Sequence, residues 1–296
     1  MDINSKLSRL FERQIIDWPL ARDNYSALKQ VEEREVVFDN CLVRLQHNPA
    51  RILSTGAKIS KKDIEKRACF LCADNRPQEQ ESLDYQGKYD LLVNPFPIMP
   101  KHFTIAHKEH LPQSADFFPD MLSLAYDLYD YSIIYNGAEC GASAPDHHHF
   151  QAGTKDFIQT ELELASIIKN GDSLDLREGL IAYKSLNYMR STILIKSYNK
   201  EYIIEAFNDI LANKVEYSEM HKDAKLNVIA RVDNGVWTVI LFLRKSHRPS
   251  HYTRKDNIMV SPGVIDMGGV FICPRKEDFL NITKEHIKEI FKEVSL

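Results

Sequence analysis

Two apolar runs joined by an Asn-Gly pair constrain this chain more than any other feature. LNVIARVD and WTVILFLR flank Asn234-Gly235, and both turn positions of a two-residue hairpin favour residues that tolerate positive φ. The pair therefore commits this stretch to adjacent antiparallel strands. Similar runs recur along the chain. FDNCLVRLQ, DLLV, FTIAH, GLIAYKS and STILIKSY read as strands bounded by turn residues. Helical spacing predicts helices over 3–17 and 24–33, and in SADFFPDMLSLAYDLYDYSIIYNG, where Ser114 is an N-cap candidate. EYIIEAFNDILANK and the closing KEHIKEIFKEV read as further helices. Strands interleaved with helices, many of them in hairpins, predict an α+β fold with a mainly antiparallel sheet. Both halves keep this rhythm, as a duplicated unit would, although residue identity between them is slight.

Composition narrows the function classes. Across 296 residues the apolar share is 44 %, the charged share 27 % and the net charge -4. Such a chain is globular and carries no basic footprint for nucleic acid, although a local basic pocket for a small anion is compatible with it. No apolar run approaches the ~20 residues that span a bilayer, and MDINSKLSRLFERQIIDW lacks the unbroken apolar core of a signal peptide. The five cysteines are sparse and odd in number, which fits a reducing cytoplasm better than a disulfide framework.

Two of those cysteines form the one C-x-x-C, Cys69 and Cys72, in the turn-rich RACFLCADNRPQEQESLDYQGK. Two thiolates at this spacing can share a tetrahedral zinc. A thioredoxin-like redox pair lacks its strand-to-helix setting here, and plain reduced thiols are the alternative. Histidines to complete a metal site are available at His102, His107, His110 and in the run His147-His148-His149.

That run lies in NGAECGASAPDHHHFQAG. On an extended strand, alternation sends His147, His149 and Gln151 to one face, and His148 and Phe150 to the other. The operative pattern is His-x-His-x-Gln. Gly141, Ala142 and Ser143 just before it are small enough to let a phosphate meet the backbone. An imidazole beside such a cradle can attack phosphorus and form a covalent nucleotidyl intermediate. A surface histidine cluster or a metal site alone would have the same spacing.

At these residues the sequence resembles the histidine-triad (HIT-like) superfamily, specifically its transferase branch of galactose-1-phosphate uridylyltransferases, diadenosine tetraphosphate phosphorylases and GDP-hexose phosphorylases. NGAECGASAPDHHHFQ is similar to that branch's catalytic block, CFLCADNR to its zinc loop, and NPFPIMPKHFTIAHKEHLPQ to its nucleoside-binding strand pair. SPGVIDMGGVFICPRKEDF is similar, less sharply, to the closing segment of the GDP-hexose and dinucleotide phosphorylases. The resemblance implies two fused HIT-like halves. Residues 1–165 would hold the zinc loop and the catalytic motif, and residues 166–296 would complete the substrate pocket. It also implies His149 as nucleophile, and Ser143 and Gln151 as partners of phosphate oxygens. A structural zinc would be held by Cys69, Cys72, His110 and His147. Asn94 and Phe96 would line the nucleoside pocket, and Asn136 would lie near the phosphates. The implied partners are a nucleotide substrate and a phosphate or sugar-phosphate acceptor, with pairing into a homodimer common in such transferases. Beyond residue 160 nothing matches the uridylyltransferases' second metal-binding region, which tells against a UDP-hexose substrate.

Hydrolases of the superfamily usually carry a third histidine where Gln151 stands. An amide cannot act as acid or base near neutral pH, so Gln151 favours transfer to an anionic acceptor over immediate hydrolysis. For the leaving end, LRKSHRPSHYTRK offers Arg244, Lys245, Arg248 and His251, unless it is only a solvated charge run. Arg44 and Arg51 in VRLQHNPARI, and Asp266 and Met267 near the end, are further candidates. The expected activity is that of a nucleotidyltransferase or phosphorylase on a nucleotide sugar or dinucleoside polyphosphate. Uridylyl exchange, hydrolysis, or zinc-stabilised nucleotide binding without chemistry are the alternatives.

Overall fold

The computed structural model describes residues 2–52, 61–64, 66–185, 189–212, 225–253 and 258–296. Its strands in the first half are β1 (Glu32–Val37), β2 (Leu42–His47), β3 (Ser82–Tyr85), β4 (Tyr89–Val93), β5 (His102–His107), β6 (Tyr131–Asn136) and β7 (His149–Thr154). The second half adds β8 (Asp172–Ser173), β9 (Ile181–Ser185), β10 (Thr192–Ser197), β11 (Leu226–Asp233), β12 (Val236–Leu243) and β13 (Val270–Cys273). Ten of them make one antiparallel sheet in the order β3-β4-β5-β7-β6-β11-β12-β10-β9-β8. The order is symmetric about the central β6–β11 pair. Each half inserts a helix at the same step, Phe118–Asp127 between β5 and β6 and Lys200–Ala212 between β10 and β11. The fold is α+β and mainly antiparallel, and its two halves repeat one topology.

The hairpin closes as its residues require. Asn234 and Gly235 both adopt positive φ, 50° and 79°, and Asp233 faces Val236 across the ladder. On one face of the large sheet lie the helices Ile3–Asp17, Pro19–Leu28, Phe118–Asp127 and Lys200–Ala212, and Leu7, Leu10, Phe103, Leu122, Phe150 and Phe207 fill the core between. Each such side chain contributes about 1.5–3 kcal/mol on burial. The first helix starts where Asp2 accepts from the Ser5 amide at 2.8 Å, and it buries Leu7, Leu10, Phe11 and Gln14 at helical spacing. The opposite face carries a small sheet in which β2 pairs with β1 antiparallel and with β13 parallel. The helices Lys276–Asn281 and Lys284–Val294 pack there too, with Val43, Leu45, Phe271, Ile287 and Phe291 against Ile134, Ile229 and Phe242. The C-terminal segment is thereby fastened to β2, a strand of the first half.

Three sequence expectations shift. The helix expected over 24–33 runs Pro19–Leu28, because Pro19 presets the first turn and Glu32 is drawn into pairing with His47. The helical spacing that continues past Asp127 is overridden, since Tyr131–Asn136 fills the sheet centre between β7 and β11. Strand pairing in HHHFQAG begins only at His149. The last two residues of EYIIEAFNDILANK lie outside the described residues.

Candidate active site and metal cluster

The C-x-x-C loop is held in shape by its own neighbours. Arg76 donates to the Leu71 carbonyl at 2.9 and 2.7 Å and to Asp90 on β4 at 2.7 Å. Asn75 donates to the Cys69 carbonyl at 3.0 Å. The loop thus presents Cys69 and Cys72 to two histidines from distant positions. Cys69 Sγ lies 3.4 Å from His147 Nδ1, and Cys72 Sγ lies 3.2 Å from His110 Nδ1 and 3.5 Å from His147 Nδ1. The two Nδ1 atoms are 3.3 Å apart, and all four donor atoms fall within 4.8 Å of one another. A tetrahedral ion with bonds of 2.0–2.3 Å needs ligand separations of about 3.3–3.8 Å. His147 Nε2 donates to the His107 carbonyl at 2.7 Å, so its Nδ1 lone pair faces the cluster. Burial raises the Cys69 thiol, but the adjoining His147 ring and the Leu71 and Cys72 amides outweigh this and hold it below the ordinary thiol range. Two converging imidazole nitrogens beside an acidified thiol fit a divalent cation, and this Cys2His2 set can hold one.

Two residues on, the sheet takes over. His149 Nδ1 donates to the His147 carbonyl at 2.8 Å, which leaves the Nε2 lone pair for other work. Burial pushes this imidazole down to about 4, so it stays neutral at pH 7. Its main chain is clamped by Gln113, which accepts from the His149 amide at 2.9 Å and donates to the His149 and Asn136 carbonyls at 2.9 and 2.7 Å. His148 points the other way into an aromatic box, stacked on Phe117 at 4.0 Å and edge-on to Phe150 at 4.7 Å. Neither of its ring nitrogens has a hydrogen-bond partner. The three consecutive histidines therefore have three separate environments.

Two cavities meet beside His149. The first, about 610 Å³, is lined by Trp18, Leu20, Phe70, Leu92, Pro95 and Phe96, with Asn94 and His149 among its polar edges. The second, about 70 Å³, is polar, and its walls include Asn136, Gly141, His247, Arg248, Ser261 and Asp266. Arg51, Ser143 and Gln151 belong to both. Gly141 has φ +98°, and a Cβ there would lie 2.6 Å from Gly263 Cα, so two backbones touch at the wall of the small cavity. Asn136 Oδ1 accepts from Asn227 Nδ2 and the Val264 amide, both at 2.7 Å, which turns its own amide nitrogen outward.

The basic segment divides. Arg248 lines the small cavity and donates to Ser261 at 2.9 Å. Arg244, expected to meet a ligand, is instead 1 % exposed and donates to Asn227 Oδ1, the Pro262 carbonyl and the Ser246 and His247 carbonyls. It directly follows β12, where the chain turns it inward, so it acts on Asn136 through Asn227. Lys245, also expected at the pocket, is exposed and lies outside both cavity linings. His251 is buried against Glu289 at 2.7 Å. Arg44 donates to the Phe157 carbonyl, and Met267 is core, whereas Arg51 and Asp266 do face a cavity. Burial lowers Arg51 to about 10, still cationic, and raises Asp266 to about 6. Gln113, which clamps His149, Arg67, which lines the larger cavity, and His247, which lines the smaller, escape sequence reasoning. His102 enters it only as a metal candidate, yet it faces Gln151 rather than the cluster.

Residues 10–154 match a family model described as a domain of unknown function (DUF4922), and residues 174–296 match one described as GDPGP1-like, C-terminal domain. The galactose-1-phosphate uridylyltransferase of Lactococcus lactis subsp. lactis (strain IL1403) is 24 % identical over 221 residues, 64 % of this chain and 43 % of that protein. That of subsp. cremoris (strain SK11) is 23 % identical over 211 residues, 62 % of this chain and 41 % of that protein. The chain thus spans less than half the length of the curated relatives it matches. The crystal structure of yeast Ap4A phosphorylase Apa2 in complex with AMP superposes with a TM-score of 0.62 at 16 % identity, covering 95 % of this chain and 94 % of that one. The complex of Apa2 with Ap4A gives 0.62 at 15 % identity, covering 94 % and 96 %. The likeness to these structures is one of fold.

Proposed function

From the chain's membership of the histidine-triad superfamily, in its transferase branch, we propose that it is a nucleotidyltransferase of the phosphorylase type acting on a nucleotide sugar. The observation that carries this is His149: a neutral, buried imidazole with Nδ1 committed to a carbonyl and Nε2 left over, on the wall of the larger of two unequal cavities that share Arg51, Ser143 and Gln151. The larger falls within the ~300–1,000 Å³ of small-molecule sites and has the apolar walls a nucleoside needs. The smaller is walled by polar side chains such as Arg248, His247 and Ser261, and lacks the aromatic walls a second nucleoside would use. This asymmetry favours a nucleotide sugar over a dinucleoside polyphosphate. The GDPGP1-like name of the second-half model and the resemblance of the closing segment to GDP-hexose phosphorylases point the same way.

In the first step Nε2 of His149 bonds to the α-phosphorus as the bond to the bridging oxygen breaks, and the sugar phosphate leaves with that oxygen. In the second, an oxygen of inorganic phosphate bonds to the same phosphorus, the P–N bond breaks, and a nucleoside diphosphate departs with the imidazole restored. Ser143, Gln151 and Arg51, which line both cavities, would meet the charge that develops on the non-bridging oxygens. Arg248 and His247 would receive the leaving end, and Asn94 and Phe96 the nucleoside. The ion would be zinc, held by Cys69, Cys72, His110 and His147, and its part is to fix the loop that carries the nucleophile. Residues 1–165 would then supply the chemistry and residues 166–296 the far wall of the small cavity.

The test is incubation with α-labelled nucleotide sugars and dinucleoside polyphosphates, with and without phosphate. We expect an acid-labile protein adduct absent in His149→Ala, and nucleoside diphosphate only when phosphate is present. Binding of every nucleotide tried without adduct or turnover would overturn the proposal.

A further inference from the structure

We infer that His102 is a positioning residue: its Nε2–H holds the Gln151 carbonyl oxygen and thereby turns the Gln151 amide nitrogen toward the transferring phosphate. The inference rests on the reading of the His149 site given above.

An amide side chain has two ends of equal size, and only its hydrogen-bond partners decide which end faces the substrate. At Gln151 the partner is unambiguous. The Ile98 amide points at His102 Nδ1 from 3.3 Å, and a main-chain N–H only donates, so Nδ1 carries the lone pair. The single proton of the neutral ring is then on Nε2, which lies 2.7 Å from Gln151 Oε1. Of the two ends of Gln151, only the oxygen can accept. Both N–H bonds of the amide are left for the space that Gln151 shares with the two cavities.

The lock is built from several directions. On the sheet, Thr104 faces Gln151 and His102 faces Gly153, so His102 lies diagonal to Gln151 on the same surface. The main chain of His102 is fixed by Tyr25, whose hydroxyl donates to its carbonyl at 2.8 Å and accepts from its amide at 3.2 Å. His102 is fully buried. Burial, and then the nearby Arg51 cation, push its imidazole down to about 3, so the same tautomer persists across the working range of pH. A protonated ring would set two donors against each other at Ile98.

The test compares wild type with His102→Phe, His102→Gln, Gln151→Leu and the His102→Phe/Gln151→Leu double variant. Readouts are the single-turnover rate of nucleotidyl-enzyme formation, the affinity for the nucleotide, and the ring ¹⁵N spectrum of His102. Removing one donor from a site of developing charge typically costs 10²–10³ in rate, so His102→Phe, which only frees the amide to rotate, should slow adduct formation about 10–100-fold. Nucleotide affinity should stay within about twofold. His102→Gln, with an amide nitrogen near the old Nε2, should recover most of the rate. In the Gln151→Leu background His102→Phe should add nothing. The spectrum should report Nε2 protonated and Nδ1 bare from about pH 5 to 8.

Equal rates for His102→Phe and wild type would overturn the inference. So would an undiminished effect of His102→Phe in the Gln151→Leu background, which marks general damage to the site. If His102→Phe does not fold, the wild-type spectrum decides, and a proton on Nδ1 ends the proposal. A wild type that forms no adduct with any nucleotide overturns the reading of the site itself, and this role with it.

Discussion

The Nδ1 atom of His149 lies 2.8 Å from the carbonyl oxygen of His147, whose own ring faces Cys69 and Cys72. The proposed nucleophile thus takes its orientation from the main chain of a proposed metal ligand. Removing the ion with a chelator, or substituting Cys72→Ser, should lower adduct formation about 10–100-fold, the usual cost of loosening the shell around such a site. Metal content measured beside single-turnover rate checks this. A metal-free protein that transfers at full rate would refute the coupling.

The histidine run should separate on mutation. His147→Ala should lose the ion and His149→Ala the adduct. His148→Leu should keep both, because its ring sits in an aromatic box with no partner on either nitrogen. Deleting an unpaired buried polar group costs little and can stabilise. Thermal melting should place His148→Leu within about 1 kcal/mol of wild type or above it; a loss of several would mean the ring has a role the packing does not explain.

Gly141→Ala should disable the small cavity. Its φ of +98° is strained for any side chain, and the new Cβ would press on backbone at Gly263 that cannot rotate away. A cost of about 2–3 kcal/mol in stability is expected, with weaker phosphate use at a given nucleotide concentration. Denaturant unfolding and the KM for phosphate measure the two parts.

Adjacent residues Arg244 and Lys245 should behave as opposites. Arg244→Met leaves Asn227 Oδ1 and several carbonyls without their donor, for a loss of about 3–5 kcal/mol. Lys245→Ala should fall within about 0.5 kcal/mol of wild type and leave KM unchanged. A large KM effect from Lys245→Ala, with stability intact, would reinstate it as a substrate contact.

Acid should weaken the fold partly through His102. Its folded-state imidazole titrates at about 3, below the ordinary value of 6.5. As pH falls, the unfolded chain takes up that proton first. The contribution is whole above about 6.5 and is lost on the way down towards 3, at about 1.4 kcal/mol per unit, or about 2 kcal/mol by pH 5. His102→Gln should flatten the pH dependence of unfolding free energy by one proton in this window. An unchanged slope would show that the ring opens to water before it titrates.

The sequence reached the parts of this protein that local rules govern. Asn234-Gly235 fixes a hairpin because only such residues accept its φ angles, and Cys69-x-x-Cys72 sets two sulfurs at one chelation distance. Alternation on β7 separates His149 and Gln151 from His148 and Phe150, and Gly-Ala-Ser before them leaves room at the backbone. These features depend on residues within a turn or a strand of one another.

Tertiary structure decided what required register between distant segments. The helix predicted through Tyr131 gave way because the six residues of β6 found strand partners, four on β7 and four on β11, and pairing at the sheet centre outweighs helical spacing. Arg244 looked like a ligand contact by charge alone, but directly after β12 the chain turns it inward to Asn227. His102 read only as a candidate metal ligand until β5 and β7 set it diagonal to Gln151, and the small cavity exists only where the loop at Gly141 meets the turn at Gly263. Sequence spacing encodes the reach of a single element, whereas a pocket is made by backbone surfaces more than a hundred residues apart, whose meeting is settled by the packing of the whole sheet.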